Sequence, residues 1–349
     1  MKPQTLQKTA LALLVGWYAA NAAAYSEQGQ AGNTKSWESA EYLKDWGLTS
    51  MNASTAYALG FNGSGVKIGV MDSGVLLNHP EFQDGRIHVV KTEGTYSKDG
   101  MRYPDASVGN GPINKNEPVK NGKRNFDKTD NGIFTKGEAF NIDGAWHKYT
   151  NDAHGTHVGG TMAASRDGNE MHGVAFGANL YSANTGGNDN MTYGPNQDYS
   201  FFLQGYSALA DAGAKVINNS WGSNRRVNSS FAGALGYKPK YDWRNVPEYG
   251  VQYYDVPKAP EPISSPAAHI YLSNLGEAEK AYYQFVTSGE KNFVDAAYEV
   301  AKNKQVIQVF TAGNRSMMAE SFTRAMLPYF RPDAEKYWVN VTGQVGGEG

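Results

Sequence analysis

No cysteine occurs in the 349 residues. That absence excludes disulfides, thiolate metal sites and a cysteine nucleophile together. An excess of either charge is missing too. Lys and Arg number 32 against 34 Asp and Glu, the net charge is −2, and charged residues make up only 19% of the chain. The basic footprint of a nucleic-acid binder is therefore lacking. No apolar run reaches the roughly 20 residues of a membrane-spanning helix. With a mean hydropathy of −0.56, a multi-span membrane protein is excluded. What is present is a hydrophobic fraction of 40%, enough for a real core. The length suits one large domain or two ordinary ones.

The N-terminus points to export. Lys2 and Lys8 supply a positive region, Thr9 to Ala20 forms a short apolar run, and small residues follow at Ala20-Asn21-Ala22 and Ala22-Ala23-Ala24. This is the pattern of a secretory signal peptide over 1–24, followed by a polar leader over 25–36. The remainder, 37–349, reads as one unit with insertions at about 92–140 and 225–275.

Five short runs rich in Val, Ile or aromatics predict strands: Val66–Met71, Asn179–Ala183, Lys215–Ser220, Val306–Thr311 and Trp338–Thr342. Helical spacing predicts helices over Ala153–Ala164, Tyr199–Asp211 and Lys291–Lys302. Strands alternating with helices imply an α/β fold, a parallel sheet with helices on both faces. Ligands of such sheets sit beyond the carboxyl ends of the strands. Two segments interrupt the rhythm. Residues 92–140 hold only 5 of Val, Ile, Leu and Met, so they are expected to bury little and to lie on the surface. Residues 237–266 hold six of the 14 prolines and are expected to run extended across the surface.

Three motifs fall where chemistry is expected. Val70-Met71-Asp72-Ser73-Gly74 puts a carboxylate after a strand, with a glycine for a tight turn. Asn151 to Thr161 reads N-D-A-H-G-T-H-V-G-G-T. It places His154 at a helix start, His157 one turn on and facing inward, and Gly155, Gly159 and Gly160 where a helix must pack closely. Thr311-Ala312-Gly313-Asn314 puts a side-chain amide after another strand, able to donate to a developing oxyanion. Each has a bland reading alone: D-S-G and A-G-N are common turns. His154 and His157 as an i, i+3 metal pair lack the carboxylate and spacing of H-E-x-x-H.

Taken in order, D-S-G, H-G-T-H-V-G-G-T and T-A-G-N resemble the subtilisin-like serine proteases, or subtilases. Thr55–Gly74, His172-Gly173-Val174-Ala175 and Val216–Gly222 are similar to further segments of that family. The resemblance implies a subtilisin-like fold, incomplete at its C-terminus, and hydrolysis of peptide bonds in protein substrates. It makes Asp72 the triad acid, His154 the general base and Asn314 the oxyanion donor. Ser220, Trp221 and Gly222 would line the substrate cleft, and His157 would be structural. Glu81, after His79-Pro80, and Asp167, in the loop Ser165–Met171, are similar in spacing to a family calcium site. No cofactor is implied beyond that calcium.

The chain also departs from compact subtilases. Asp72 and His154 stand 82 residues apart, and no Gly-Thr-Ser occurs anywhere. The nucleophilic serine is therefore expected beyond residue 349. The signal, the insertions and the missing cysteine are most similar to autotransporter subtilases of Gram-negative bacteria, whose outer-membrane β-barrel would follow downstream. The competing reading is a non-catalytic surface passenger or antigen, or an inert truncated product, on a subtilase scaffold.

Overall fold

A computed structural model describes residues 29–101, 133–146, 153–185, 198–221, 242–246, 251–255, 291, 293–311 and 327–341. The strands are β1 (Lys67–Asp72), β2 (Ile87–Val89), β3 (Lys91–Thr95), β4 (Gly100–Met101), β5 (Ile133–Phe134), β6 (Ala139–Asp143), β7 (Asn179–Asn184), β8 (Val216–Asn219), β9 (Asp242–Val246), β10 (Val251–Asp255), β11 (Ile307–Thr311) and β12 (Trp338–Val341). The helices are α1 (Ala40–Lys44), α2 (Trp46–Ser50), α3 (Ala53–Ala58), α4 (His154–Ala163), α5 (Tyr199–Asp211), α6 (Phe293–Lys304) and α7 (Leu327–Phe330). None of the helices among the described residues is long and apolar enough to cross a membrane.

Six strands form one parallel sheet in the order β12-β11-β8-β1-β7-β2. All five strands expected from the sequence are in it, each within a residue or so of its expected ends. The sixth, β2, is only three residues long and pairs with β7. β1 therefore lies inside the sheet, with β7 and β8 as neighbours.

Alternation along β1 divides the core. Val70 packs with Leu180, Val158, Ala163 and Phe82 on the face covered by α4. Met71 points the other way, among Ile217, Ala183, Phe202, Tyr206, Phe293 and Phe310. Helices α5 and α6 supply much of that second cluster. Period-two alternation puts Asp72 on the same face as Val70, under α4.

Asp198 starts α5. One of its carboxylate oxygens accepts from the N–H of Phe201 at 2.8 Å, the N-cap bond of the helix. The helix stops at Gly213, which takes a φ of +101°, the left-handed turn that glycine adopts without strain. The other oxygen of Asp198 accepts from Ser97 N, Ser97 Oγ and Lys98 N at 2.8, 2.7 and 3.2 Å. One buried carboxylate thus holds both the helix and the chain leaving β3.

Here the structure departs from the expectation for 92–140. β3 and β6 pair antiparallel, and Thr92, Tyr96 and Phe140 are buried. Tyr96 stacks on Phe201, and Phe140 meets both rings edge-on. The ends of the segment are core, and aromatics do the work that its few aliphatics cannot. Farther out, β4 pairs with β5, setting Met101 opposite Ile133. Of the 225–275 segment, β9 and β10 form an antiparallel pair; the rest lies outside the described residues, as do 1–28.

A third cluster lies at the N-terminal side. Tyr42, Leu48, Ala53 and Tyr57 pack with Trp37, Val174 and Phe176. His172 is buried among Tyr42, Tyr57 and Phe176, and burial holds its imidazole below the ordinary histidine range.

The pairing of β4 with β5 leads to a test. Replacing 102–132 by an Asn-Gly turn joins strands that are already opposite one another and suit a two-residue hairpin. The resulting protein is expected to keep its fold and most of its thermal stability. Phe140→Ala, which removes only one side chain, should cost about 3–5 kcal/mol. Denaturant unfolding checks both, and a hairpin variant that fails to fold would show that 102–132 covers apolar surface.

Candidate active site

β1 ends at Asp72, and the chain turns away through Gly74 with φ +88°. A Cβ on Gly74 would lie 2.5 Å from the carbonyl oxygen of Ala145, so both conformation and space require glycine. The Asp72 side chain is 1% exposed, whereas that of His154 is 46% exposed. They meet at 2.8 Å, His154 Nδ1 to Asp72 Oδ1. A carboxylate only accepts, so Nδ1 carries the proton and donates it, which gives Nε2 the lone pair of the neutral ring. Asp72 Oδ1 also accepts from Ser73 N at 2.7 Å. Asp72 Oδ2 finds no hydrogen-bond partner among the described residues.

The turn after β1 and the first turn of α4 are stitched together. Gly155 N donates to Ser73 Oγ at 2.8 Å, and Leu76 N donates to Thr156 Oγ1 at 3.0 Å. A Cβ on Gly155 would lie 2.5 Å from the Gly74 carbonyl oxygen, so this glycine sets how closely the helix seats on the turn. Gly159 fits the same account, against Leu180 and Val75, but Gly160 faces open space and answers no packing demand. Ser73 and Thr156 are functional neighbours that motif reading left without a role; their signal was their place inside D-S-G and H-G-T.

Other expected residues fall differently. His157 is exposed, not inward-facing, because it lies on the side of α4 opposite Val158 and Gly159. Among the described residues no group of three or more His, Asp or Glu is gathered closely enough to hold a metal ion. Ser220 is half-buried, and its Oγ accepts from Asn218 Nδ2 at 2.8 Å. Trp221 corrects the expectation of a cleft-lining side chain. It is 6% exposed, its ring lies against Phe202 and Phe293, and its indole N–H donates to the Met71 carbonyl at 2.7 Å. An indole fills a core readily, so the resemblance of the segment to a substrate-binding strand does not set where this side chain points. Gly222 and Asn314, expected in the cleft and as oxyanion donor, lie outside the described residues.

Glu81 and Asp167 stand near each other in a field of carboxylates. Glu81 is 8% exposed, and its Oε2 has no hydrogen-bond partner among the described residues. Burial, then Asp167, Glu41, Glu170 and Asp84, pushes its pKa up to about 7. Glu41 is also buried, but both its oxygens are engaged, by Asp167 N at 3.2 Å and Gly168 N at 3.0 Å. Side chains alone thus do not complete a calcium site here.

Residues 63–344 match the profile of the Subtilase family. An "Extracellular serine protease" of Serratia marcescens is 29% identical over 343 residues, covering 96% of this chain and 26% of its own length. "Bacillopeptidase F" of Bacillus subtilis is 28% identical over 275 residues, covering 74% of this chain and 16% of its own. The chain therefore spans about a quarter of the Serratia relative. A crystal structure of fervidolysin from Fervidobacterium pennivorans aligns with 80% of this chain and 26% of that one at 18% identity, with a TM-score of 0.32, too low to bear on the fold.

The Glu81 carboxyl yields a pH prediction. Its folded pKa, about 7, lies above the ordinary value of 4.5. The stability tied to this group is therefore full below pH ~4.5 and is lost as pH rises through about 7. Glu81→Gln, uncharged throughout, should be more stable than the parent above pH 7 by on the order of 1–3 kcal/mol, with the advantage gone by pH 4.5. Urea unfolding in the presence of a chelator measures this. An advantage that is the same at both pH values would contradict it.

Proposed function

Because this chain belongs to the subtilase family, we propose that it contributes the acid and the base of a secreted serine endopeptidase. The observation that carries this reading is the Asp72–His154 pair at 2.8 Å. Asp72 holds the imidazole in the Nδ1–H tautomer, so that Nε2 takes the proton of a serine hydroxyl as it attacks a peptide carbonyl. The buried carboxylate then stabilises the imidazolium that results. The proton is later returned to the leaving amine, and water repeats the cycle on the acyl-enzyme. Asn314, after β11, would donate to the tetrahedral oxyanion. Ser220 to Gly222, at the end of β8, would pair with extended substrate through their main chain.

The serine in this reading lies beyond residue 349, since the sequence has no Gly-Thr-Ser. Export rests on Met1–Ala24 and agrees with the extracellular name of the Serratia relative. Passage through an autotransporter barrel belongs to the same reading, supported by the absent cysteine and the two insertions. Calcium enters only as a structural ion at the loop after α4. Glu81 and Asp167 would contribute carboxylate oxygens there, and main-chain carbonyls the remainder.

The test uses the full-length gene product, casein and a fluorophosphonate serine probe. The parent should cleave casein and take up the probe stoichiometrically. Asp72→Asn and His154→Ala should each lower turnover by about 10³-fold or more, while a chelator that leaves the protein folded should not abolish probe labelling. Residues 25–349 alone should do neither. A full-length protein that never labels would favour the passenger reading, and stoichiometric labelling of 25–349 alone would place the nucleophile in this chain.

A further inference from the structure

We propose that Trp221 is a positioning residue for the Asp72–His154 pair: its indole N–H holds the end of β1 where strand pairing has run out. The inference rests on the protease reading above and adds a residue to it.

The register of the sheet shows why the strand needs holding. On one side β7 accompanies β1 to its last residue, pairing Asn184 with Asp72, and Thr185 N donates to the Asp72 carbonyl at 2.8 Å. On the other side β8 pairs with β1 only from Ile68 to Val70. The Met71 carbonyl, one residue before the acid, lies past the end of that ladder, in the protein interior. A buried carbonyl must find a donor. Trp221, two residues beyond β8, supplies it through the side chain at 2.7 Å.

The donor is itself fixed. Its ring centroid lies 5.5 Å from that of Phe202 on α5 and 5.3 Å from that of Phe293 on α6. The packing of the α5–α6 face is thereby transmitted to the peptide that carries Asp72, while Ser73 and Gly155 hold the opposite face. Without the indole N–H, Met71 O must turn toward another donor or water. That rotates the peptide into Asp72, whose Oδ1 already has two geometric obligations, to Ser73 N and His154 Nδ1. The consequence falls on proton transfer rather than on substrate binding. Misplacement of about 1 Å can cost about 10²-fold in rate.

Two variants of the full-length protein isolate the hydrogen bond. Trp221→Phe keeps an aromatic ring and removes the donor. Benzothienylalanine at 221 keeps the indole's shape and replaces N–H by sulfur, which answers the objection that Phe fails to fold. Both should lower kcat on a peptide substrate by about tenfold or more and leave KM within about twofold. Both should also shift or broaden the downfield proton resonance of His154 Nδ1–H. Leu48→Ala, in the buried cluster of Tyr42, Ala53 and Tyr57 that Trp221 does not join, serves as the stability control: it should lower the unfolding temperature with kcat and that resonance unchanged.

Unchanged kcat in the benzothienylalanine protein overturns the proposal. So does a raised KM with kcat intact, which would return Trp221 to the substrate cleft. An equal loss of kcat in Leu48→Ala also overturns it, by making the effect one of general stability. Asp72→Asn in parallel separates the two levels. If Asp72→Asn keeps full activity, the acid–base reading fails and takes the proposal with it. If Asp72→Asn is inactive and the Trp221 variants are unaffected, only the proposal fails.

Discussion

A carboxylate with 1% of its side chain exposed stands at the end of an interior strand, and the requirements of that buried charge organise what surrounds it. An ionised carboxylate taken out of water costs several kcal/mol unless charge or donors compensate it. Asp72 receives two, the main-chain N–H of Ser73 and the Nδ1–H of His154. The first comes from the next residue, by way of a turn that Gly74 makes possible. The second comes from 82 residues away. It therefore depends on everything that delivers α4 to this spot.

Delivery follows from parity and close approach. Strand alternation places Asp72 on the face that α4 covers, in line with Val70. Gly155 lets the helix start sit against the turn, and the pairs Gly155–Ser73 and Thr156–Leu76 lock the two together. His154 stands at the first position of the helix, where its side chain reaches both the carboxylate and the solvent side. One partner is buried and the other half-exposed, an asymmetry that suits a fixed acid and a base that must meet substrate. Oδ2 of Asp72, with no partner among the described residues, leaves the carboxylate more dependent on the histidine than a fully satisfied one would be.

Much of this was legible in the chain because the signals were local. Five- and six-residue apolar runs bounded by polar loops mark five strands of the sheet, and D-S-G with H-G-T-H marks the two residues that meet. What escaped depended on long-range packing. β2, three residues with a histidine at its centre, has no periodicity to detect, and its partner β7 lies about ninety residues on. The ends of the 92–140 segment were misjudged because aliphatics were counted and Tyr96 and Phe140 were not. The resemblance of Val216–Gly222 to a substrate-binding segment puts Trp221 in the cleft, and no local signal shows the burial of its ring, because its partners Met71, Phe202 and Phe293 come from other elements. His157 was turned the wrong way because a one-residue error in helix phase moves a side chain by about 100°.

The account comes down to which serine, if any, shares a proton with His154. The most direct measurement is a structure of the full-length protein after reaction with a fluorophosphonate, with the labelled residue identified by peptide mass spectrometry. The account predicts one labelled serine downstream of residue 349, with its Oγ within hydrogen-bond reach of His154 Nε2, about 2.6–3.2 Å in the unlabelled protein, and the Asp72–His154 contact intact. A label on a serine within residues 25–349, or on a downstream serine remote from His154, would contradict it.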